Sequence, residues 1–597
     1  MRQAWMRSGL FCLIVVGWGA LSAAQAQLGQ PPCEHIRVAC EGAGFVPGNA
    51  QDGHGLWVDC IHPIMAGRAQ RSKATQPLPY VDPHIVAACQ ASHPRFGQPQ
   101  ATQAAAGAQP SPTRPLPSAA TVQSPPSQTP STGTKRPNIV FILTDDLAWN
   151  LVQYMPHVLK MQQEGVTFAN YFVTNSLCCP SRASIFTGRY PHNTGVLANA
   201  GKDGGYHAFR TRNHERATFA IALSGVGYLT AMLGKYLNGY RPLDPVAPGW
   251  TSWAVAGGAG YRAFNYTLSE DGTAVRYGDK PTDYLTDVLG SLGVRFITQS
   301  AGTPFFIEIA TFAPHAPYTP APRDADALPG QRAPRTPAFD AAPEANTPTW
   351  LRAMPALSDA DMANIDKDFR KRAQAVRAVD TMIGALQAAV AAIGEEQNTY
   401  FVFSSDNGYH MGEHRLMPGK MTAYDMDIHV PLIVTGPGVP AGRTIAEIAE
   451  NIDLYSTFTE LGGAGAPTSI DGHSLVALLH GQQGTAWRTV ALIEHRGPHK
   501  DAHDPDAPSH RAGNPPTYHA MRTRTALYVE YADGVQEYHD LASDPHELRN
   551  TFSSLPSQEQ ASLHATLEAL TTCHDAQSCW AAERPGREQL GAATERR

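Results

Sequence analysis

The sequence lacks an excess of positive charge, an internal repeat and, beyond its N-terminus, any apolar run long enough to span a membrane. Its 597 residues carry 46 Lys and Arg against 53 Asp and Glu, a formal net charge of −7 at pH 7. This balance excludes a strongly basic nucleic-acid-binding chain. Hydrophobic residues make up 42%, too many for a wholly disordered chain. We therefore expect a large globular core, no nucleic-acid partner and no membrane span in the mature chain.

The N-terminal residues have the pattern of a secretory signal peptide. Arg2 and Arg7 supply the positive end, residues 10–21 are apolar, and an A-x-A cleavage site ends at Ala26. We predict removal of residues 1–26 and export to the periplasm or the exterior, where disulfides form. An uncleaved membrane anchor is the alternative.

The nine cysteines are unevenly distributed, and one of them, Cys12, lies in the predicted signal peptide. Four fall in a small module at 27–96, namely Cys33, Cys40, Cys60 and Cys89. A module of this size buries little apolar surface, so two disulfides are expected to stabilise it. Three pairings are open, and zinc binding is the alternative, although no C-x-x-C pair is present. Near the C-terminus, Cys573 and Cys579 are expected to close a small disulfide loop.

A linker and a much larger folded part follow the module. Residues 97–134 are rich in Pro, Ser, Ala, Gln and Thr and almost free of large apolar side chains, as linkers are. We predict a large domain at 135–500 and a smaller antiparallel β subdomain at 501–597. An Asp-Gly pair at 533–534, between two strand-like segments, predicts a hairpin in that subdomain.

Two short apolar runs in the large domain predict buried strands, NIVFIL at 138–143 and YFVFS at 400–404. Both are continuous and rich in β-branched or aromatic residues, as in parallel sheets covered on both faces. Helical periodicity lies between them, clearest from Phe369 to Ile393, with Gly394 as a C-cap. The alternation predicts an α/β fold with a doubly wound, mostly parallel sheet. Sites in such folds lie beyond the carboxyl ends of the strands.

Oxygen-bearing side chains follow each of these strands directly. Asp145 and Asp146 follow the first, and Asp406 and Asn407 follow the second. At one edge of a parallel sheet the carboxylates would repel each other unless a cation lay among them. An all-oxygen set with an amide suits Ca²⁺, and Mg²⁺ less well. Two unrelated turns are the alternative, because Asp and Asn are common after strands.

Residues 178–188, CCPSRASIFTG, predict a short helix with Pro in its first turn and Gly at its end. Cys178 then lies at the N-terminus, where backbone N–H groups favour an anion. Arg182 follows one turn later and can reach the same anion. A disulfide between Cys178 and Cys179, or a pair of buried thiols, is the alternative.

These motifs resemble the type I, formylglycine-dependent sulfatases of the alkaline-phosphatase-like superfamily. The resemblance rests, in the family's order, on RPNIVFILTDDLAWN, CCPSRASIFTGRYPHNTGV, GYLTAMLGKYLNGY, APHAPYTPAPR, SSDNGYHMGEHRL and YDMDIHVPLIVTGPGVPAGR. The ending YVEYADGVQEYHDLASDPHELRN resembles the family's C-terminal subdomain. LCCPSRASIFTGRYPHN, GKYLNGY and PHAPYTPAPR are most similar to the N-acetylglucosamine-6-sulfatase branch.

The resemblance implies that a formylglycine-generating enzyme converts Cys178 and that the hydrated aldehyde is the nucleophile. One hydroxyl of such a geminal diol attacks sulfur, and the diol later expels sulfate by carbon–oxygen cleavage. The implied metal would polarise the sulfate oxygens, and Arg182 would hold the hydrate and the carboxylates in place. The implied metal ligands are Asp145, Asp146, Asp406, Asn407 and the hydrate at Cys178.

The resemblance also implies three residues around the sulfate, Lys235 in G-K-Y, His315 in P-H-A-P, and Lys420. Cationic donors in these positions stabilise the transition state. His315 or Lys420 would supply the proton that the leaving sugar oxygen needs.

One position departs from the pattern of many arylsulfatases. Leu237 stands where those enzymes carry a histidine that helps to expel sulfate, a departure shared with the N-acetylglucosamine-6-sulfatase branch. Another base is then needed, and His192 and His410 are the candidates; a structural role is the alternative for each.

The resemblance therefore implies hydrolysis of sulfate monoesters, on a sulfated carbohydrate such as 6-O-sulfated N-acetylglucosamine or on aryl sulfates. A phosphonate or phosphate monoester hydrolase on the same scaffold is one alternative. A sulfatase-fold binding protein without activity is another, if Cys178 is never converted. The four-cysteine module is either a disulfide-stabilised spacer or a binding module for a sugar or cell-surface component.

Overall fold

The computed structural model describes residues 32–46, 55–66, 78, 79, 81, 86, 89, 135–482, 486–500, 504, 506–508 and 511–586. The predicted signal peptide and linker lie outside the described residues. The chain divides into two compact units, Met1–Ser127 and Gln128–Arg597.

The first unit is a small module closed by two disulfides. It contains helix α1 (Pro32–Gly42), a π-helical turn (Leu56–Ile61) and helix α2 (His62–Ala66). Cys33 pairs with Cys89, and Cys40 pairs with Cys60. These four sulfurs are therefore engaged with one another, in one of the three pairings that the sequence left open.

The second unit is built around one ten-stranded sheet. Its strands are β1 (Asn138–Thr144), β2 (Val166–Phe172), β3 (Leu229–Lys235), β4 (Ser252–Ala256), β5 (Thr267–Glu270), β6 (Thr273–Arg276), β7 (Phe305–Ala310), β8 (Thr399–Ser405), β9 (Leu432–Thr435) and β10 (Arg443–Glu450). The spatial order is β10-β2-β9-β8-β1-β7-β3-β4-β5-β6. The central strands β8, β1, β7, β3 and β4 are parallel, whereas β9, β5 and β6 run antiparallel to their neighbours. The predicted doubly wound, mostly parallel sheet is confirmed.

Helices cover both faces of this sheet. They are α3 (Pro156–Glu164), α4 (Cys178–Thr187), α5 (Pro191–Thr194), α6 (Gly205–Thr211), α7 (Phe219–Gly225), α8 (Leu285–Gln299), α9 (Thr349–Arg352), α10 (Asp359–Ala392), α11 (Asp425–Ile428), α12 (Asp453–Leu461) and α13 (Val476–Leu479). The 3₁₀ turns are Trp149–Tyr154, His214–Arg216, Gly258–Arg262, Pro281–Asp283, Pro322–Asp324, Glu396–Asn398 and Phe552–Ser554. Alternate residues of β1 belong to different core clusters: Phe141 shares one with residues of α4 and α12, and Val140 shares the other with residues of α8 and α10. This explains why β1 is apolar without polar alternation.

Helix α10 is the long helix that the sequence periodicity indicated. A capping box begins it, because Ser358 Oγ accepts from the Asp361 N–H and Asp361 Oδ2 accepts from the Ser358 N–H. Gly394, at φ +71°, follows its end. By length and composition α10 is apolar enough to cross a membrane, but 56% of its most apolar window is buried inside the fold. A core helix has the same properties.

A separate four-stranded antiparallel sheet forms the C-terminal subdomain. Its strands, in spatial order, are β11 (Ala491–His495), β12 (Tyr518–Arg522), β13 (Ala526–Tyr531) and β14 (Gln536–Asp540), and helices α14 (Ser557–Thr572) and α15 (Ala576–Ala582) follow. The predicted hairpin joins β13 to β14. The sheet begins at Ala491 rather than after residue 501, because β11 pairs across a long connection with β12. The Cys573–Cys579 disulfide links α14 to α15.

Candidate active site

The carboxyl ends of β1 and β8 bring the four oxygen-bearing side chains together. The two strands pair in register, with Thr144 opposite Ser405, so the residues after each strand meet. The Asp146 backbone N–H donates to Asp406 Oδ1 at 3.2 Å, and Asn407 Nδ2 donates to Asp146 Oδ1 at 2.7 Å. The residues of this cluster are buried: Asp145, Asp146, Asp406 and Asn407.

Cys178 begins helix α4 and points into this cluster. Its thiol donates to Asp145 Oδ1 at 3.3 Å, and Lys420 Nζ lies 2.8 Å from its Sγ. Burial, reinforced by Asp145, raises the pKa of the Cys178 thiol well above its ordinary value. The Cys178 and Cys179 thiols are both free and buried, so the alternative of a disulfide between them does not hold.

Arg182 lies one turn into α4 and is fully buried beneath the cluster. Its Nε donates to Asp406 Oδ2 at 2.8 Å, and its Nη1 donates to the Lys235 carbonyl at 2.8 Å. Burial opposes the guanidinium charge, but Asp406 and Asp145 hold the pKa of Arg182 above its usual value. The side chain therefore joins α4 to the ends of β8 and β3.

The three predicted sulfate-binding residues also reach the cluster. Lys235, the last residue of β3, places Nζ 2.7 Å from Asp145 Oδ2, and Lys420 places Nζ 2.6 Å from Asp146 Oδ1. His315 follows β7, with Nε2 3.6 Å from Asp146 Oδ2. Burial opposes the charges of both lysines, but these carboxylates raise the pKa of each lysine well above its usual range.

The side chains at this edge have the chemistry of a site for a hard divalent cation. Ligand atoms of Asp145, Asp146, Cys178 and His315 all lie within 4.8 Å of one another. Asn407 Oδ1 is buried and has no hydrogen-bond partner within the described part of the chain. Adjacent carboxylates and an unpartnered amide oxygen are the ligand types that Ca²⁺ prefers.

The two candidate bases, His192 and His410, make their hydrogen bonds with other groups than Cys178. His192 Nδ1 is 2.8 Å from Glu494 Oε2, and its Nε2 is 2.8 Å from the Cys573 carbonyl. His410 Nδ1 is 3.0 Å from both oxygens of Asp427, and its Nε2 is 2.9 Å from the Ala512 carbonyl. Each ring is held at both nitrogens by groups other than the four oxygen-bearing side chains and Cys178. These contacts match the structural alternative for the two histidines.

Three polar residues at the site were not predicted from the sequence, namely Asp506, Asn199 and Asn238. Asp506 Oδ1 lies 2.5 Å from His315 Nε2 and 2.6 Å from Lys420 Nζ. Asn199 and Asn238 donate to its Oδ2 at 2.7 and 2.9 Å. Asn238 lies in the GKYLNGY motif, which is a usable signal. Asp506 is one of several acidic residues in DAHDPDAPSH, and no spacing distinguishes it.

A cavity of about 360 Å³ opens beside Lys235, whose Nζ contacts Asp145. Its lining includes polar and aromatic side chains: Asn199, Lys235, Asn238, Tyr240, Arg241, Tyr261, Phe312 and Asp504. Tyr261 also lies under the Lys235 ammonium, with Nζ 4.9 Å from the ring centre. A cavity of this size and lining accommodates a small polar molecule next to Lys235.

Comparison with known proteins agrees with this geometry. A sequence profile described as Sulfatase matches residues 137–464, and one described as N-sulphoglucosamine sulphohydrolase, C-terminal, matches residues 412–573. N-acetylglucosamine-6-sulfatase from Homo sapiens is 34% identical over 475 residues, which cover 74% of this chain and 85% of that protein.

Solved structures show the same fold. A structure in complex with its substrate D-glucosamine-2-N,6-O-disulfate gives a TM-score of 0.62 at 24% identity and covers 73% of this chain and 97% of the other. A phosphonate monoester hydrolase of Agrobacterium radiobacter gives a TM-score of 0.57 at 21% identity, covering 74% and 96%. Because the Sulfatase profile spans residues 137–464 and a sulfatase shares 34% identity over most of its length, this chain belongs to the sulfatase family of sulfuric ester hydrolases.

Proposed function

We propose that this sulfatase removes the 6-O-sulfate from N-acetylglucosamine in a sulfated carbohydrate. The observation that carries the proposal is Cys178 at the start of α4, with Asp145 and Lys420 in contact with its sulfur. The human relative, similar over most of its length, is named for this substrate. The adjoining cavity has room for a sugar ring, with the Asn199 and Asn238 amides and the Tyr261 ring at its wall.

In this proposal the cluster at the ends of β1 and β8 holds a divalent cation, with Ca²⁺ better suited than Mg²⁺. The residues that would hold it are Asp145, Asp146, Asp406 and Asn407, together with the modified side chain at 178. Bound there, the cation would draw negative charge from the sulfate oxygens. Arg182 keeps Asp406 oriented through its 2.8 Å contact.

The nucleophile forms only if a formylglycine-generating enzyme converts Cys178 to formylglycine during maturation. The hydrate of the aldehyde then supplies a hydroxyl for attack on sulfur and a second hydroxyl whose deprotonation releases sulfate by carbon–oxygen cleavage. Lys420 lies beside this position, so its ammonium stabilises charge on the sulfate oxygens. His315 or Lys420 donates the proton that the leaving sugar oxygen takes up.

We infer that the chain is exported to the periplasm or the exterior, where sulfated carbohydrates are accessible. Hydrolysis of phosphonate or phosphate monoesters, and binding without catalysis, are outcomes that the following test distinguishes.

The first test uses protein made in its own host. We expect the tryptic peptide 161–182 to have the lower mass that results when an aldehyde replaces the Cys178 thiol. The enzyme should release sulfate from N-acetylglucosamine-6-sulfate faster than it cleaves a phosphonate monoester. Removing the bound cation with a chelator should abolish turnover, and Ca²⁺ should restore it.

A pair of variants provides the control. Cys178→Ala should lower kcat at least about a thousandfold because it removes the nucleophile. Cys179→Ala, changed at the neighbouring buried thiol, should retain most of the activity. Faster phosphonate cleavage would favour the phosphonate hydrolase, and an unconverted Cys178 with no turnover would favour the binding protein.

A further inference from the structure

The carboxylate of Asp506 is held by the groups that face the sulfur of Cys178. Lys420 Nζ lies 2.6 Å from Asp506 Oδ1 and 2.8 Å from Cys178 Sγ, so one ammonium bridges the two side chains. His315 Nε2 lies 2.5 Å from the same oxygen. The Asp506 side chain is fully shielded from solvent. Asp506 therefore occupies a pocket for an anion, which we call the sulfate pocket and which is formed by Lys420 and His315 beside Cys178.

The second oxygen of Asp506 is held equally firmly. Asn199 and Asn238 donate their side-chain amides to Oδ2 at 2.7 and 2.9 Å. The orientation of Asn199 is set from its other side, because its Oδ1 accepts the Cys179 backbone N–H at 2.9 Å. Its NH₂ group therefore faces Asp506. Asp504 Oδ1 accepts the Asp506 backbone N–H at 2.9 Å and so fixes the main chain.

These contacts use all the accepting capacity of the carboxylate. Two oxygens offer about four lone-pair sites, and four donors occupy them. A carboxylate that recognised a substrate hydroxyl by accepting its hydrogen bond would need a free lone pair directed at the cavity. Asp506 has none left, so the contacts point to occupation of the pocket rather than recognition of a sugar hydroxyl.

The same donors are the ones that a sulfate ester requires. A sulfate next to the nucleophile at position 178 must accept from Lys420 and His315, and both already donate to Asp506. The three N–H groups of Lys420 already face Asp146 Oδ1, Asp506 Oδ1 and Cys178 Sγ, and His315 Nε2 has at most one N–H, which faces Asp506. Binding of the ester therefore displaces the Asp506 side chain.

We propose that Asp506 is the resting occupant of the sulfate pocket and competes there with the sulfate group of the substrate and with the sulfate product. This inference rests on the proposed sulfatase function. Asp506 weakens binding of both anions, and its return to Lys420 and His315 as sulfate departs promotes product release. Asp506 thus sets the apparent affinity of the enzyme for the sulfated substrate and for inorganic sulfate.

The test measures inhibition by inorganic sulfate during turnover of N-acetylglucosamine-6-sulfate by the calcium-loaded, converted enzyme. Asp506→Asn keeps the shape but removes the charge, and Asp506→Ala empties the pocket. Both should lower the inhibition constant for sulfate and the KM by about tenfold, without raising kcat. Asp533→Asn makes the same change in net charge at an exposed hairpin turn and should leave both constants unchanged.

The proposal would be overturned if both Asp506 variants had a higher KM and an unchanged or higher inhibition constant for sulfate. Such a result would make Asp506 a substrate-binding group. Calorimetric titration with inorganic sulfate separates this result from failure of the proposed function. If the enzyme cleaves no sulfate ester, tighter sulfate binding by the Asp506 variants still supports the competition, and unchanged binding contradicts it.

Discussion

Glu308 is a buried carboxyl group in the middle of the sheet, close to the site. It lies on β7 between Phe141 of β1 and Met232 of β3. Neither of its side-chain oxygens has a hydrogen-bond partner within the described part of the chain, and the same holds for Nη2 of Arg182. Burial raises the pKa of Glu308 to about 8, although Arg182 opposes the shift. The folded protein therefore retains a proton there that the unfolded chain releases near its ordinary pKa of 4.5.

Glu308→Gln should stabilise the protein increasingly as pH rises. A carboxyl with a raised folded pKa contributes its full stability below the unfolded pKa and loses it as pH rises to the folded pKa. Between the unfolded and folded pKa values, the free energy of unfolding of the variant should rise relative to that of the wild type by about 1.4 kcal/mol per pH unit. Urea unfolding across this range measures the gain. The exposed Glu396→Gln is the control, and parallel curves for Glu308→Gln and wild type would contradict the prediction.

Helix α8 presents two glycines, Gly290 and Gly293, to its neighbours in the core. A Cβ on Gly293 would lie 2.7 Å from Ile309 Cδ1 of β7 and 2.8 Å from Leu386 Cδ2 of α10. A Cβ on Gly290 of the same helix would meet Met382 Cγ at 3.1 Å. Leucine and isoleucine in a packed core have little room to move, whereas methionine is flexible. Close approach of α8 to the sheet therefore depends on Gly293.

Gly293→Ala should destabilise the fold by about 1–3 kcal/mol through overpacking. Ordinary helix propensity predicts the opposite sign, a gain of about 1 kcal/mol when Ala replaces Gly. Gly290→Ala is the matched control and should cost less, since Met382 can shift. Urea unfolding of both variants gives the two free energies, and equal effects would show that packing against Ile309 and Leu386 does not decide the outcome.

At the scale of the whole molecule, the residues of the site all belong to the second unit, Gln128–Arg597. The Sulfatase profile at 137–464 and the C-terminal profile at 412–573 also lie within it. The first unit has its own core, formed around residues such as Ile36 and Phe45, and its own two disulfides. We therefore expect catalysis on a small substrate to require only the second unit.

Deletion of residues 27–134 should leave kcat/KM on N-acetylglucosamine-6-sulfate within about twofold of wild type, because separate domains keep their own cores and sites. Steady-state kinetics on the soluble substrate and on a sulfated polymer test this. A large loss on the soluble substrate would contradict the prediction. A loss on the polymer alone would assign the four-cysteine module to carbohydrate binding.

Local patterns in the sequence were sufficient to predict the sheet and the meeting of oxygen-bearing side chains at its edge. The apolar runs of β1 and β8 and the carboxylates after them are contiguous, and so is the helix from Cys178 with its terminal glycine. Parallel pairing then brings Asp145 and Asp406 together by geometry alone. The family motifs supplied Lys235, His315 and Lys420.

The contacts between distant segments became visible only in the folded structure. Asp506 meets His315 across 191 residues, Glu494 holds His192, and the cysteine pairings depend on how α1 and the turn after it pack. Periodicity and propensity report on neighbours along the chain, within a few residues. Which buried charge meets which partner depends instead on the packing of remote loops, and the sequence alone contains no local signal for it.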